Sequence, residues 1–158
     1  MTSFDKLVQE AKLLGRNLRK CAFVSMSESS PFPVSGGVYV ISDRGIDLYA
    51  GLASNLKRRL RQHTNGKQIQ SAFTLKLASY SFKKKHRSKQ LLSIVRLRVD
   101  GDFLDVLDVY ARTANKVKQM KVRYVETDDP KLRIILEVYA GMLFNTKWND
   151  FNKRVLVR

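Results

Sequence analysis

Two short apolar runs, Val38-Tyr39-Val40-Ile41 and Ile46-Asp47-Leu48-Tyr49, stand on either side of Asp43-Arg44-Gly45. Runs rich in β-branched and aromatic residues, interrupted by a turn-forming triplet, form a β-hairpin. The spacing predicts a three-residue loop with Gly45 in the left-handed conformation. Closing residue 42 against residue 46 then sets Tyr39 opposite Tyr49, so that both phenols project from one side of the sheet. A two-residue loop would break that pairing.

The rest of the chain has to cover this hairpin. Residues 4–20 place Phe4, Leu7, Val8, Ala11, Leu14 and Leu18 at three- and four-residue spacing, the pattern of an amphipathic helix. Residues 26–36 contain Pro31 and Pro33 among turn formers and read as a connector. Ser54 is positioned to cap a helix running to about Thr64, which Asn65-Gly66 ends. On it Leu56 and Leu60 suit the core, while Arg59 and His63, four apart, share a face. Residues 69–80 fit both alternation and a helix, and are taken as a helix. Lys83 to Lys89 holds no apolar residue and reads as a solvated loop. A further helix is expected over 103–117 and a third strand over 120–126, before Asp128-Asp129-Pro130 opens the last helix. The expected fold is a small α/β (α+β) layer structure. A mainly antiparallel three-stranded sheet from about 37–42, 46–51 and 120–126 is covered by helices. At 158 residues it reads as one domain, with an N-terminal helix and connector over 1–35 and a core over 36–152.

The partner is suggested by charge. A formal +16 attracts polyanions, nucleic acid first among them, and lies far beyond the roughly 2–8 charges of a soluble small domain. The absence of a long apolar span or a secretory leader predicts a cytoplasmic protein in a reducing compartment, with no membrane partner. Cys21 is the single cysteine and His63 and His86 the only histidines, so no internal disulfide and no structural zinc site is expected. A metal acting here would be a hard cation held by oxygen.

Glu137 is more informative than an average surface glutamate. At 100° per residue the last helix is apolar nearly all round, and Glu137 emerges in a narrow stripe with Arg133, Ala140 and Gly141. Such a helix is expected to be mostly buried, with the acid pointing into a cavity and Gly141 leaving room beside it. A four-residue ion pair between Glu137 and Arg133 is the plainer alternative.

Taken in order, these segments resemble the GIY-YIG nuclease superfamily. Gly37-Val38-Tyr39 and Tyr49-Ala50-Gly51 resemble its two tyrosine segments, with valine and alanine where isoleucine is usual. Ser54 to His63 resembles the following helix, making Arg59 the match to the catalytic arginine and His63 the match to a frequent histidine. Leu136-Glu137-Val138-Tyr139 and Asn149 resemble the metal-binding glutamate and later asparagine. The proline usual before that asparagine is missing, which leaves Asn145 and Asn152 as alternatives to Asn149. Residues 37–63 and 130–151 carry the likeness, and the ending resembles short stand-alone bacterial members.

The resemblance implies metal-dependent hydrolysis of DNA by an attacking water, with Mg²⁺ or Mn²⁺ on Glu137 and no small-molecule cofactor. It makes Tyr39 the general base or its relay, with Tyr49 in the same network. A phenol with a pKa of about 10 needs cations to become a base at neutral pH, and Arg59 with Lys57 would supply them. Arg59 would also grip the phosphoryl oxygens, and the division of proton transfer between Tyr39 and His63 stays open. Taken singly, each residue has a duller reading, as a packing tyrosine, a solvated cation or a turn former. Lys57, Arg58, Arg61 and Lys67 would contact phosphates near the cut, and Lys83, Lys84, Lys85, Arg87 and Lys89 would track the backbone. The competing reading is a basic module that binds DNA or RNA with an idle nuclease site.

Overall fold

The computed structural model describes residues 2–28, 31–85 and 100–149. In chain order the elements are α1 (Ser3–Lys20), β1 (Val24–Ser25), β2 (Gly37–Asp43), β3 (Ile46–Ala53), α2 (Leu56–Thr64), α3 (Ala72–Lys85), α4 (Asp100–Lys118), β4 (Lys121–Glu126) and α5 (Pro130–Leu143). They cluster into two compact units, Met1–Leu60 with Met120–Arg158, and Arg61–Gln119, where the sequence reading drew no internal boundary.

The first unit holds an antiparallel sheet in the order β1-β4-β2-β3. It has four strands rather than three, because β1 is only two residues long and too short to leave an alternation in the sequence. Val38, Val40, Ala50 and Val125 of the sheet pack with Ala11 and Leu18 of α1 and Leu132, Leu136 and Ala140 of α5. Apolar residues at helical spacing on α1 and α5 therefore meet alternate residues of the strands, the condition for a two-layer core. Thr2 and Asp5 form a reciprocal capping box on α1, and Asp129 caps α5 ahead of Pro130.

The hairpin differs from expectation in an instructive way. Its loop is two residues, with Arg44 and Gly45 both at positive φ (49° and 80°), the left-handed pair that matches strand twist. Asp43 therefore pairs with Ile46 and Ser42 with Asp47. Carried straight on, that register would put Tyr39 opposite Ala50 and send Tyr49 to the other face. A bulge between Ile41 and Ser42 takes up one extra residue, Leu48, so Ile41 pairs with Tyr49 and Tyr39 with Gly51. Tyr39 does not face Tyr49 directly. The two become diagonal neighbours on one face, their ring centroids 6.4 Å apart.

Asp47 also pins the turn end of the sheet. Arg123 of β4, only 8% exposed, donates through Nη2 to both Asp47 oxygens at 2.8 and 2.9 Å. Its guanidinium stacks against Phe144 at 4.3 Å and Phe23 at 4.7 Å, and Ser42 Oγ donates to Asp47 at 2.5 Å. Asp47→Ala would leave a buried cation without its counter-charge, a loss of about 3–5 kcal/mol. Chemical denaturation should show that drop, whereas a change under about 1 kcal/mol would put the pair in the weak surface class.

α5 is not mostly buried. Ile134, Val138 and Met142 form an exposed stripe at 58%, 40% and 63%, because the sheet and α1 cover one side of the helix only. Glu137 lies on the rim between the two sides, partly buried.

The second unit packs Ala78 and Phe82 of α3 against Val106, Val109 and Tyr110 of α4. Helix α3 continues through Lys83 to Lys85, which corrects the expected loop there; Arg87 and Lys89 lie outside the described residues.

Candidate active site

The start of α2 decides where Arg59 points. Asn55, not Ser54, caps the helix, its Oδ1 accepting from Arg58 N at 2.8 Å. The connector satisfies the first two donors of the helix, Ser35 O accepting from Leu56 N at 3.0 Å and Pro33 O from Lys57 N at 2.9 Å. Held this way, α2 brings the Arg59 guanidinium into hydrogen bonds with both Tyr39 and Tyr49. A guanidinium only donates, so each phenol oxygen accepts from Arg59 and keeps its own O–H to give elsewhere.

Tyr39 is fully enclosed. Its ring lies across Gly51, the residue paired with it, and a Cβ there would collide with the Tyr39 hydroxyl. Glycine is thus required at position 51 for the phenol to reach Arg59. Burial pushes the Tyr39 phenol well above its ordinary value of 10, reinforced by Tyr49, and Arg59 offsets this only in part. The expectation that nearby cations would favour a phenolate fails here because desolvation outweighs them.

Glu137 reaches the same place. Burial raises its carboxyl above the ordinary 4.5, opposed by a hydrogen bond from the Leu52 backbone and by the charge of Arg59. Arg133 does not supply the alternative partner at four-residue spacing, since its Nη1 donates to Thr127 O at 3.3 Å. Gly141 provides backbone rather than room: its carbonyl accepts from Thr146 N at 3.0 Å.

The Leu52 contact belongs to a series along the outer edge of β3. Leu48 O accepts from Trp148 N at 2.8 Å. Two residues on, Ala50 exchanges a pair of 2.8 Å bonds with the Asn149 side chain, its N–H going to Oδ1 and its C=O receiving Nδ2. Two further on, Leu52 meets Glu137. Alternate residues of an edge strand turn their backbone outwards, and three in succession are met by the C-terminal part of the chain.

Asn149 therefore sits behind the Tyr49-Ala50-Gly51 segment, 5% exposed, with Thr146 Oγ1 donating to its Oδ1 at 2.6 Å. Of its alternatives, Asn145 is exposed and Asn152 lies outside the described residues. Asn149→Ala would orphan the buried N–H and C=O of Ala50 at about 1–3 kcal/mol each. Denaturation should record that loss, with Asn149→Asp, which keeps the acceptor, falling between; an Ala variant as stable as wild type would remove the edge-capping role.

The structure thus brings together Tyr39, Tyr49, Arg59 and Glu137, with Asn149 supporting one strand of the group. His63 belongs to the second unit and is fully buried. Its Nδ1 lies 2.5 Å from Ser71 Oγ, its carbonyl accepts from Thr74 Oγ1 at 2.7 Å, and its ring meets Phe73 edge-on. Arg58, Arg61 and Lys67 are exposed and Lys57 half-buried. Sequence reasoning missed Gly51 and Asn55 in their supporting roles; the pairing of Gly51 with Tyr39, once the bulge is known, is the signal for the first.

Residues 35–97 match the family described as the GIY-YIG catalytic domain. The resemblance read from the hairpin and α2 is borne out over that stretch, and Glu137 and Asn149 lie beyond it. No curated protein matches the chain. Among solved structures, the chain is similar to the GIY-YIG N-terminal endonuclease domain of UvrC from Thermotoga maritima bound to magnesium. The identity is 16%, the coverage 84% of this chain and 96% of that one, and the TM-score 0.42. A point mutant of the same domain, bound to its catalytic divalent cation, gives 16% identity, 84% and 94% coverage and a TM-score of 0.43.

Proposed function

We propose that the chain is a divalent-metal-dependent endonuclease of the GIY-YIG type that hydrolyses phosphodiester bonds in DNA. The observation that carries this reading is the joint bonding of Arg59 to two phenols with the Glu137 carboxylate in the same electrostatic group.

The donor set suits a hard cation. Among the described residues no three His, Cys, Asp or Glu side chains gather as a metal site, so a protein cage is not what Glu137 offers. A single carboxylate, steadied by Leu52 and raised by burial, fits Mg²⁺ or Mn²⁺ that keeps most of its waters. Bound there, such an ion would supply charge stabilisation to the phosphoryl group and the leaving oxygen.

The chain's own residues divide the remaining work. Arg59 donates to the non-bridging phosphoryl oxygens, its planar fork presenting several N–H groups at once. Tyr39, enclosed and protonated, anchors that guanidinium from below. Tyr49 is only half-buried and meets the substrate side, directing its O–H toward water or phosphate. Tyr39 thereby serves as a neutral hydrogen-bond relay, and His63, with no exposed surface, holds its helix end rather than touching the phosphate. Lys57 and Arg58 bind flanking phosphates, and Arg61 and Lys67 of the second unit bind nucleic-acid phosphates.

The test is nicking of supercoiled plasmid by wild type, Glu137→Ala and Arg59→Ala, with and without Mg²⁺. Wild type alone should cut, and only with the ion. Equal nicking by all three proteins would remove the site, and salt-sensitive binding without any cutting would leave the idle-module reading in its place.

A further inference from the structure

The Arg61–Gln119 unit carries thirteen lysines and arginines against four acids, so 59 residues hold nine of the sixteen net charges of the chain. It has its own apolar core between α3 and α4. Beside that core lies a cavity of about 190 Å³ lined by Ser81 of α3 and Val109, Arg112, Thr113 and Lys116 of α4.

We propose that this cavity is a seat for a backbone phosphate of nucleic acid, gripped by Arg112 and Lys116. The two cations are four residues apart on one helix and so converge on one side of it. Ser81 brings a hydroxyl from the facing helix. Thr113 forms wall rather than donor, because its Oγ1 already donates to Val109 O at 2.7 Å. The acid nearby is Asp108, one turn before Arg112 and 2.6 Å from it. Both partners of that pair are well exposed, at 59% and 64%, and exposed pairs contribute little, so a phosphate can take Arg112 from Asp108 at small cost. The net charge of the unit favours a polyanion over an isolated anion, since neighbouring phosphates gain from the remaining cations. The proposal takes from the nuclease reading only that the partner is a nucleic acid, not that it is cut.

The experiment uses the full chain carrying Glu137→Ala, without divalent metal, titrated onto a fluorescein-labelled DNA duplex at several NaCl concentrations. Adding Arg112→Gln and Lys116→Gln should weaken binding and reduce the slope of log Kobs against log[NaCl] by about 0.9, the value for one lost phosphate contact. Asp108→Asn should tighten binding. An unchanged slope in the double variant overturns the proposal, as does inorganic phosphate binding to the cavity with no change in the duplex slope. Should circular dichroism find the double variant unfolded, Asp108→Asn decides, and binding that is unchanged or weaker overturns it. Plasmid nicking by the wild-type chain is scored separately: no nicking with the slope change intact sinks the nuclease reading alone.

Discussion

Glu137→Gln is expected to lower DNA cleavage on the order of 10³-fold while making the metal-free protein more resistant to heat at neutral pH. The activity loss corresponds to about 4 kcal/mol of charge stabilisation no longer delivered at the phosphate. The gain in stability follows from the raised carboxyl of Glu137. A carboxyl whose folded value lies above the ordinary 4.5 binds its proton more readily in the folded than in the unfolded chain. Stability is therefore lost as pH rises from 4.5 through the folded value, and the cost is fully present above it. The amide keeps an acceptor for Leu52 and has no charge to desolvate, so it escapes this cost. Differential scanning calorimetry should find a higher midpoint for the variant at neutral pH, with the difference closing as pH falls to 4.5 and below. Mg²⁺ should raise the wild-type midpoint and leave that of the variant nearly unchanged. A variant less stable than wild type at neutral pH, or equally stabilised by Mg²⁺, would sink this account of the carboxylate.

The sequence was legible where one periodicity answered the question. The helices α1, α2 and α5, the strand β4 and the turn at Gly45 all follow from spacing and turn chemistry that are local to each segment. The register of the hairpin was not, because a bulge moves the pairing by one residue without requiring a particular side chain there. The grouping of Tyr39 with Tyr49 survives only because loop and bulge change the parity twice. The exposed stripe of Ile134, Val138 and Met142 was missed for another reason: an apolar pattern reports which faces could be covered, not how many neighbours arrive to cover them. The same limit applies to Tyr39. Sequence shows the cations that could favour a phenolate, but desolvation, the larger effect, exists only once the fold encloses the ring. Asn149 was singled out through family likeness alone, and its bonds to Ala50 depend on a strand edge that no spacing within its own segment reveals.

Arg59→Ala should cost both activity and stability, the reverse of the stability change expected for Glu137→Gln. Losing a preorganised donor to the phosphoryl oxygens lowers kcat by about 10²–10³, or 2.7–4 kcal/mol. Arg59→Lys restores a charge but not the fork, so it should recover only a small part of that loss. In the folded protein the guanidinium also satisfies the enclosed Tyr39 oxygen, and removing it from a buried acceptor costs about 1–3 kcal/mol. Its charge further restrains the rise of the Glu137 carboxyl, so Arg59→Ala leaves that carboxylate less compensated than before. Combining Arg59→Ala with Glu137→Gln removes the uncompensated carboxylate together with the cation. The double variant should therefore be more stable than the sum of the single changes, by at least about 0.5 kcal/mol for groups that share one environment. Denaturant midpoints of the four proteins complete the cycle. Strict additivity would mean that guanidinium and carboxylate do not feel one another, and a site built from both could not then stand.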